Sequence, residues 1–477
     1  MNTKVTVSNT YKSKDDLIIL SDFDDFGWAS SMLTDSETTF LKNAAKREVP
    51  FIFLARDTNS VVVQFLKENG TDSLSREDAR IAGNEILSLI SQYKIKSVTL
   101  INKCPINRAL DFLEGMVLGN YQFLKYFTDK GEKINSLEEI KVEKSSGSRS
   151  AINQLKNVLE ATCKARDLIN EPHSFLSAEQ LSKEIQAAGK ACGFSVMVFD
   201  KKKIESLKMG GIIAVNLGSE NPPRFNILEY KPSKAKNKKP IVLVGKGIVY
   251  DTGGLSLKPT FNSMDFMKSD MGGAATVVGT MMAVASNKLP LHIVALIPST
   301  DNRPGKNAYA PGDVITMYDG STVEVMNTDA EGRLILADAL HYAKKYKPEL
   351  VIDFATLTGA AARAVGHEAL CFMGNADKGI KDKIEKSSYD VYERLVEFPL
   401  WREYGDQLKS NIADLKNLGG PNAGMITAGK FLEHFTDYPW LHFDIAGSAY
   451  LKTADSYRTK EGTGVGVRLM FDFLKNY

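Results

Sequence analysis

Two carboxylates and a guanidinium fall within five residues at Asp329, Glu331 and Arg333, in the run Asn327-Thr328-Asp329-Ala330-Glu331-Gly332-Arg333-Leu334. Beyond it Leu334, Ala337, Leu340, His341 and Ala343 recur at helical spacing, which puts both acids at or just before the first turn of a helix. Acids there have a structural use. Thr328 as N-cap with Glu331 reaching back would form a capping box, and the helix dipole favours a further carboxylate beside it. They also have a chemical use, because clustered carboxylates are the ligands that hard divalent cations take. Spacing within this run does not choose between the two.

A second window adds charge at the ends of apolar elements. Val244-Gly245-Lys246-Gly247 closes an apolar run, Asp251-Thr252-Gly253-Gly254 follows, then Lys258, then Asp270 in Lys268-Ser269-Asp270-Met271-Gly272-Gly273 ahead of an Ala-rich helix. The lysine lacks the spacing and the following Ser/Thr of a Walker loop, and Gly245 and Gly247 lack the third glycine of a dinucleotide fingerprint. Open α/β sheets place their ligand crevice outside the carboxyl ends of strands, so charges at those ends meet in space. Four converging carboxylates repel unless protonation or a metal resolves the conflict. Bound divalent ions are the economical answer: magnesium, manganese or zinc, with a carboxylate bridging two ions about 3.5–4 Å apart. Histidine ligation is not indicated, since His173, His292, His341, His367, His434 and His442 show no paired metal-ligand spacing.

Seven segments carry a family resemblance: VGKGIVYDTGGLSLKP (Val244–Pro259), MKSDMGGAA (Met267–Ala275), NTDAEGRL (Asn327–Leu334), DFATLTGA (Asp353–Ala360), NIADLKN (Asn411–Asn417), FDIAGSA (Phe443–Ala449) and GTGVGVR (Gly462–Arg468). In order and near-constant spacing, from about Arg166 to the C-terminus, the chain resembles the leucyl aminopeptidase family of dinuclear metallo-exopeptidases. That resemblance implies that Lys246, Asp251, Asp270 and Glu331 hold one metal. Asp251, Asp329 and Glu331 would hold the other, with the backbone carbonyl of Asp329 as a further ligand and Asp251 and Glu331 as bridges. Two divalent ions per subunit are implied, zinc or manganese or magnesium, with a metal-bridging water as nucleophile. Lys258 would stabilise the oxyanion, and Arg333 would hold a bicarbonate that acts as general base. Met267, Thr356, Gly359, Ala446 and Ala449 would line an apolar side-chain pocket suited to leucine or methionine. Peptide substrates and a homohexamer are implied too. One residue more than in many relatives separates Lys258 from Asp270, and DNRPG (Asp301–Gly305) replaces the usual acid-Asn-Met-Pro pattern. Two other classes stay open: a different two-metal hydrolase, since Lys258 and Arg333 also suit a phosphate, and a nucleic-acid-binding or scaffolding role added to catalysis.

The elements that must position these residues are those of an α/β protein. At 477 residues the chain is long enough for two to three domains. The reading is a smaller N-terminal α/β domain over residues 1–150 with an assembly role and a connecting helix over 151–170. A larger catalytic α/β domain follows over 171–477, with a central mixed sheet flanked by helices. Strands are expected at Asp16–Leu20, Val49–Leu54, Val61–Leu66, Ser97–Asn102, Ser195–Phe199 and Ile241–Val244, and helices at Ser75–Tyr93, Asn107–Phe127, Ala151–Ile169 and Leu181–Ala191. Lys141–Ser150, polar and rich in breakers, reads as a linker, and the lysines from Lys231 to Lys239 as a solvated loop. A net charge of +2 gives no field that argues for nucleic acid. No apolar run reaches membrane-spanning length, and the N-terminus lacks the pattern of a signal peptide. Four scattered cysteines, Cys104, Cys163, Cys192 and Cys371, fit a reducing cytoplasm.

Overall fold

The computed structural model describes residues 3–104 and 108–477. Contacts divide the chain into two compact units, Met1–Cys163 with Thr453–Thr459, and Lys164–Lys452 with Lys460–Tyr477.

The first unit is built on a six-stranded sheet in the order Lys4–Ser8, Glu139–Glu143, Ser97–Asn102, Asp16–Ser21, Ser60–Phe65, Phe51–Ala55. All neighbours are parallel except the last pair. The segment read as a linker, Lys141–Ser150, begins inside an inner strand, Glu139–Glu143, paired on both sides, passes through the 3-10 turn Lys144–Ser146 and ends in the helix Arg149–Asn170. The two apolar residues of that strand, Ile140 and Val142, are fully buried between the charged Glu139, Lys141 and Glu143. A period of two that short is masked by its flanks. The helix expected over Asn107–Phe127 spans Ala109–Gly119, and Asn107 lies outside the described residues. It stops where the buried Asn120 side chain donates to Thr3 Oγ1 (2.8 Å) and Leu137 O (3.0 Å). Such side-chain bonding to loop backbone competes with helix continuation.

The second unit holds a nine-stranded mixed sheet. Its order is Leu395–Glu397, Leu370–Gly374, Trp440–Asp444, Leu350–Ala355, Ile241–Gly245, Ile293–Asn302, Arg224–Tyr230, Ser195–Phe199, and Gly247–Asp251 pairs with Ile293–Asn302. Trp440–Asp444, Leu350–Ala355, Ile241–Gly245, Gly247–Asp251 and Ile293–Asn302 run parallel where they pair. Every residue of the first three of these strands is buried, as strands covered on both faces require. Helices Gly272–Ser286 and Gly332–Ala343 both pack on Ile241–Gly245. The small residues of Gly272–Ser286 let nearly the whole helix sink into the core. The parallel strands therefore turn their carboxyl ends, at Gly245, Asp251, Asn302, Ala355 and Asp444, to the same edge of the sheet, with Gly247–Asp251 and Ile293–Asn302 reaching about five residues beyond Gly245. Among the described residues no helix is long and apolar enough to cross a membrane.

Candidate active site

Lys246 leaves the end of its strand with its N–H donating to Phe354 O of the neighbouring strand (3.0 Å). Its side chain then passes under the first residue of the helix Gly332–Ala343, where a Cβ on Gly332 would stand 2.4 Å from Lys246 Cε. Only glycine leaves that path open. Lys246 is 2 % exposed, and its ammonium meets Asp270 Oδ1 at 2.8 Å, Thr356 O at 2.9 Å and Glu331 Oε1 at 3.0 Å. Asp270 lies at the end of the 3-10 helix Met264–Met271 and also accepts from Thr356 Oγ1 (2.8 Å).

Asp251 ends the strand Gly247–Asp251. Its Oδ1 accepts from Gly253 N and from Asn302 Nδ2, both at 2.8 Å, which leaves Oδ2 facing Lys258 Nζ at 2.9 Å. The same ammonium touches the Asp329 carboxylate. Gly253 turns with φ +84°, and a Cβ there would press on Ser256 O at 2.4 Å. Thr328 does not cap a helix. Its hydroxyl donates to Gly253 O and accepts from Ser256 N (2.8 Å), tying the Asp329 turn to the Lys258 loop. Glu331 occupies the N-cap position without a side-chain capping bond. The capping box is therefore not formed, and both acids are free to face the strand ends. Oxygens of Asp251, Asp329 and Glu331 lie within 4.8 Å of one another, and Glu331 Oε2 is buried with no hydrogen-bond partner among the described residues.

Electrostatics follow from burial and crowding. Burial, joined by Glu331 and Asp251, drives the Asp270 carboxyl well above the usual range against the pull of Lys246. Burial and the Asp251 and Glu331 charges lift Asp329 to about 7. Burial alone would discharge Lys246 and Lys258, but the surrounding acids outweigh it and raise both. Arg333, buried in the first turn of its helix, falls to about 10 because its charge is desolvated. It donates from Nη1 to Asn417 O (2.7 Å), and its buried Nε has no hydrogen-bond partner among the described residues.

One cavity of about 700 Å³ is lined by Lys246, Asp251, Lys258, Asp270, Asp329, Glu331 and Arg333, and also by Met267, Thr356, Gly359, Ala446 and Ala449. All twelve residues singled out in the sequence thus border the same space. Residues 163–471 match the catalytic domain of the cytosol aminopeptidase family. The chain belongs to this family. With it comes the broad activity, that of an aminopeptidase. A protein of Chlorobaculum tepidum named "Probable cytosol aminopeptidase" is 48 % identical over 393 residues, covering 78 % of this chain and 76 % of its own length. One of the same name from Geobacter sulfurreducens is 40 % identical over 404 residues, covering 83 % and 81 %. Among solved structures, a point mutant of tomato leucine aminopeptidase superposes with a TM-score of 0.86 at 26 % identity, over 100 % of this chain and 97 % of that one. The bottromycin maturation enzyme BotP, solved also in complex with Mn, gives 0.84 at 28 % identity over 97 % and 99 %.

The cavity also rests on residues to which the sequence reading gave no role, although Asp444, Asn417 and Asn302 lie within segments it quoted. Asp444, at the end of its strand, accepts from Leu357 N (3.1 Å), Ala446 N (3.2 Å) and Thr358 Oγ1 (2.7 Å), and so joins two walls of the cavity. Asn302 donates to Asp251 and to Thr328 O (3.0 Å), and Asn417 donates from Nδ2 to Asn327 O (2.8 Å). Asp444 and Asn302 carry the same signal as Lys246, a polar residue closing a buried strand. Asn417 follows a strand of only two residues, too short to announce itself.

Proposed function

We propose that this aminopeptidase releases N-terminal leucine and other apolar residues from peptides through two divalent cations, zinc or manganese or magnesium. Lys246, Asp251, Asp270 and Glu331 would hold one, and Asp251, Asp329 and Glu331 the other. The observation that carries the reading is the convergence of Asp251, Asp329 and Glu331 around a buried, unpartnered Glu331 oxygen. Desolvated carboxylate oxygens without donors are costly, and a dication removes that cost. When bound, two such ions acidify a shared water and polarise the scissile carbonyl.

The chain's own groups do the rest. Lys258 keeps its proton beside Asp251 and Asp329, and its ammonium is placed to donate to a carbonyl oxygen as that oxygen gains charge. Arg333 stands in the first turn of a helix with a buried Nε that has no hydrogen-bond partner among the described residues, a site for an anion such as bicarbonate acting as general base. Met267, Thr356, Gly359, Ala446 and Ala449 offer a largely apolar pocket that suits leucine or methionine. Within the proposed domain limits, 1–150 serves assembly of a homohexamer, 151–170 connects, and 171–477 catalyses. A cytoplasmic setting agrees with the relatives' name and with four cysteines that form no disulfide.

Leu-anilide hydrolysis by the purified chain tests the reading. Manganese or zinc should support release of leucine, chelation should abolish it, and an N-acetylated substrate should resist. Equal turnover of acetylated and free peptides would overturn the amino-terminal anchoring. Light scattering checks the hexamer.

A further inference from the structure

The cavity that holds the acid cluster is not apolar all round. Four carboxylates and five cations line it, and among the described residues three of the cations, Arg333, Arg363 and Lys452, are ion-paired with none of the acids, Arg333 being held instead by Asn417 O (2.7 Å). Lys246 and Lys258 are spent on Asp270, Glu331, Asp251 and Asp329. Lys452 is tethered, its ammonium donating to Asn262 Oδ1 (2.8 Å) and lying 5.0 Å from the centre of the Phe266 ring. Arg363 is different. It lies one turn along the helix Gly359–Val365 from Gly359, and among the described residues it has neither an ion-pair partner nor a hydrogen bond. An exposed arginine that simply faces water needs no partner, and that is the common case. Here, however, the guanidinium folds back over the pocket wall: a Cβ on Gly359 would stand 3.3 Å from Arg363 Nη1. Gly359 and Ala446 border the same cavity, and Gly447 packs its backbone on Ala362 of the same helix and on Gly366 just past its end. The arginine therefore crowns the wall already read as the side-chain pocket.

We propose that Arg363 makes this pocket accept N-terminal residues with a carboxylate side chain alongside apolar ones, which rests on the aminopeptidase reading and on the pocket assigned to it above. A leucine side chain leaves the guanidinium solvated, so nothing is lost. A glutamate side chain gains a charge-assisted, bidentate partner, and an N-terminal lysine meets a like charge. The balance of the lining, which bound dications would make more positive still, acts in the same direction.

The test uses the full-length, metal-loaded enzyme and compares kcat/KM for Glu-, Gln-, Leu- and Lys-anilides. Glutamine has the shape of glutamate without its charge, so the Glu/Gln ratio isolates the ion pair. Replacement Arg363→Ala should lower that ratio about fivefold, the worth of one good solvent-edge pair, and Arg363→Glu should lower it further while raising Lys over Leu. Raising ionic strength should lower the wild-type ratio in the same way, a measurement that needs no variant. A Glu/Gln ratio indifferent to both salt and Arg363 overturns the inference while leaving Leu-anilide hydrolysis, and with it the broader reading, intact. An Arg363 effect seen on Leu-Glu against Leu-Gln peptides but absent from the anilides also overturns it, since the carboxylate is then read at the second residue. Loss of all four activities in the wild type counts against the parent reading instead.

Discussion

Glu331 is the residue on which most converges: one oxygen 3.0 Å from Lys246, the other buried and unpartnered, and the backbone turning directly into a helix. Exchange of this carboxylate for the neutral amide, Glu331→Gln, keeps shape and removes the negative charge. If Glu331 bridges two cations, metal affinity and turnover should fall together, by more than the roughly 10–100-fold that loss of an outer hydrogen-bond partner costs. Calorimetric metal titration beside steady-state kinetics checks this, and a variant with full affinity and full turnover removes Glu331 from the ligand set. At this scale the sequence was informative for a plain reason. A charge that closes a buried strand or opens a buried helix has nowhere to go but the crevice at the strand ends. Lys246, Asp251, Asp329 and Glu331 all stand at such points. Asn417 does not, and no pattern in the residues around it points to the carbonyl that Arg333 uses.

Elements show where local pattern misleads. Thr328-x-x-Glu331 has the form of a capping box and is not one, whereas Thr34-x-x-Glu37 is one: Glu37 N donates to Thr34 Oγ1 (3.3 Å) and Thr34 N to Glu37 Oε2 (2.8 Å). The difference is tertiary. Thr328 is drawn to Gly253 and Ser256, while Glu37 is locked by Arg56, whose Nε and Nη2 each donate to it at 2.8 Å. Those bonds hold the Glu37 carboxyl down to about 2 from 4.5. A depressed carboxylate stabilises the fold above its unfolded value and loses that contribution as pH falls through the folded one. Glu37→Gln should therefore be less stable than wild type at pH 7, by about 1 kcal/mol for the cap. The gap should close between pH 4.5 and 2, and urea midpoints across that range would show it. Curves that stay parallel down to pH 2 would contradict the assignment. At the second helix start, Gly332→Ala sets propensity against packing. Alanine favours an exposed helix interior by about 1 kcal/mol over glycine, yet here its Cβ meets Lys246 Cε at 2.4 Å. Metal affinity and kcat should drop; an unchanged enzyme would show that Lys246 can leave its path at no cost. The strand Glu139–Glu143 failed to announce itself for a related reason, since its partners on both sides, not its two apolar residues, make it a strand.

For the whole molecule the balance of buried charge sets how stability answers to metal. In the second unit, among the described residues, Asp270, Asp251, Asp329 and Glu331 are met by two ammonium groups, those of Lys246 and Lys258, and two of the four acids are pushed upward by their setting. Ion pairs desolvated in this way contribute little net stability, because the cost of leaving water offsets the attraction. A dication that binds the folded chain alone adds RT ln(1 + [L]/Kd), about 2.7 kcal/mol at a hundredfold excess over Kd. Melting should thus rise with manganese or zinc, continue to rise with the logarithm of concentration past saturation of activity, and fall back on chelation. For a chain of this length the shift per kcal/mol is modest, since unfolding entropy grows with size, so calorimetry over several decades of metal is the suitable measurement. Magnesium at equal concentration should shift the midpoint less, as it surrenders its waters reluctantly and asks for near-octahedral oxygen. A midpoint that ignores all three metals in the wild type, or that moves equally in Glu331→Gln, would place the cations elsewhere than on this cluster, and the acids would then have to be read as held by their lysines alone.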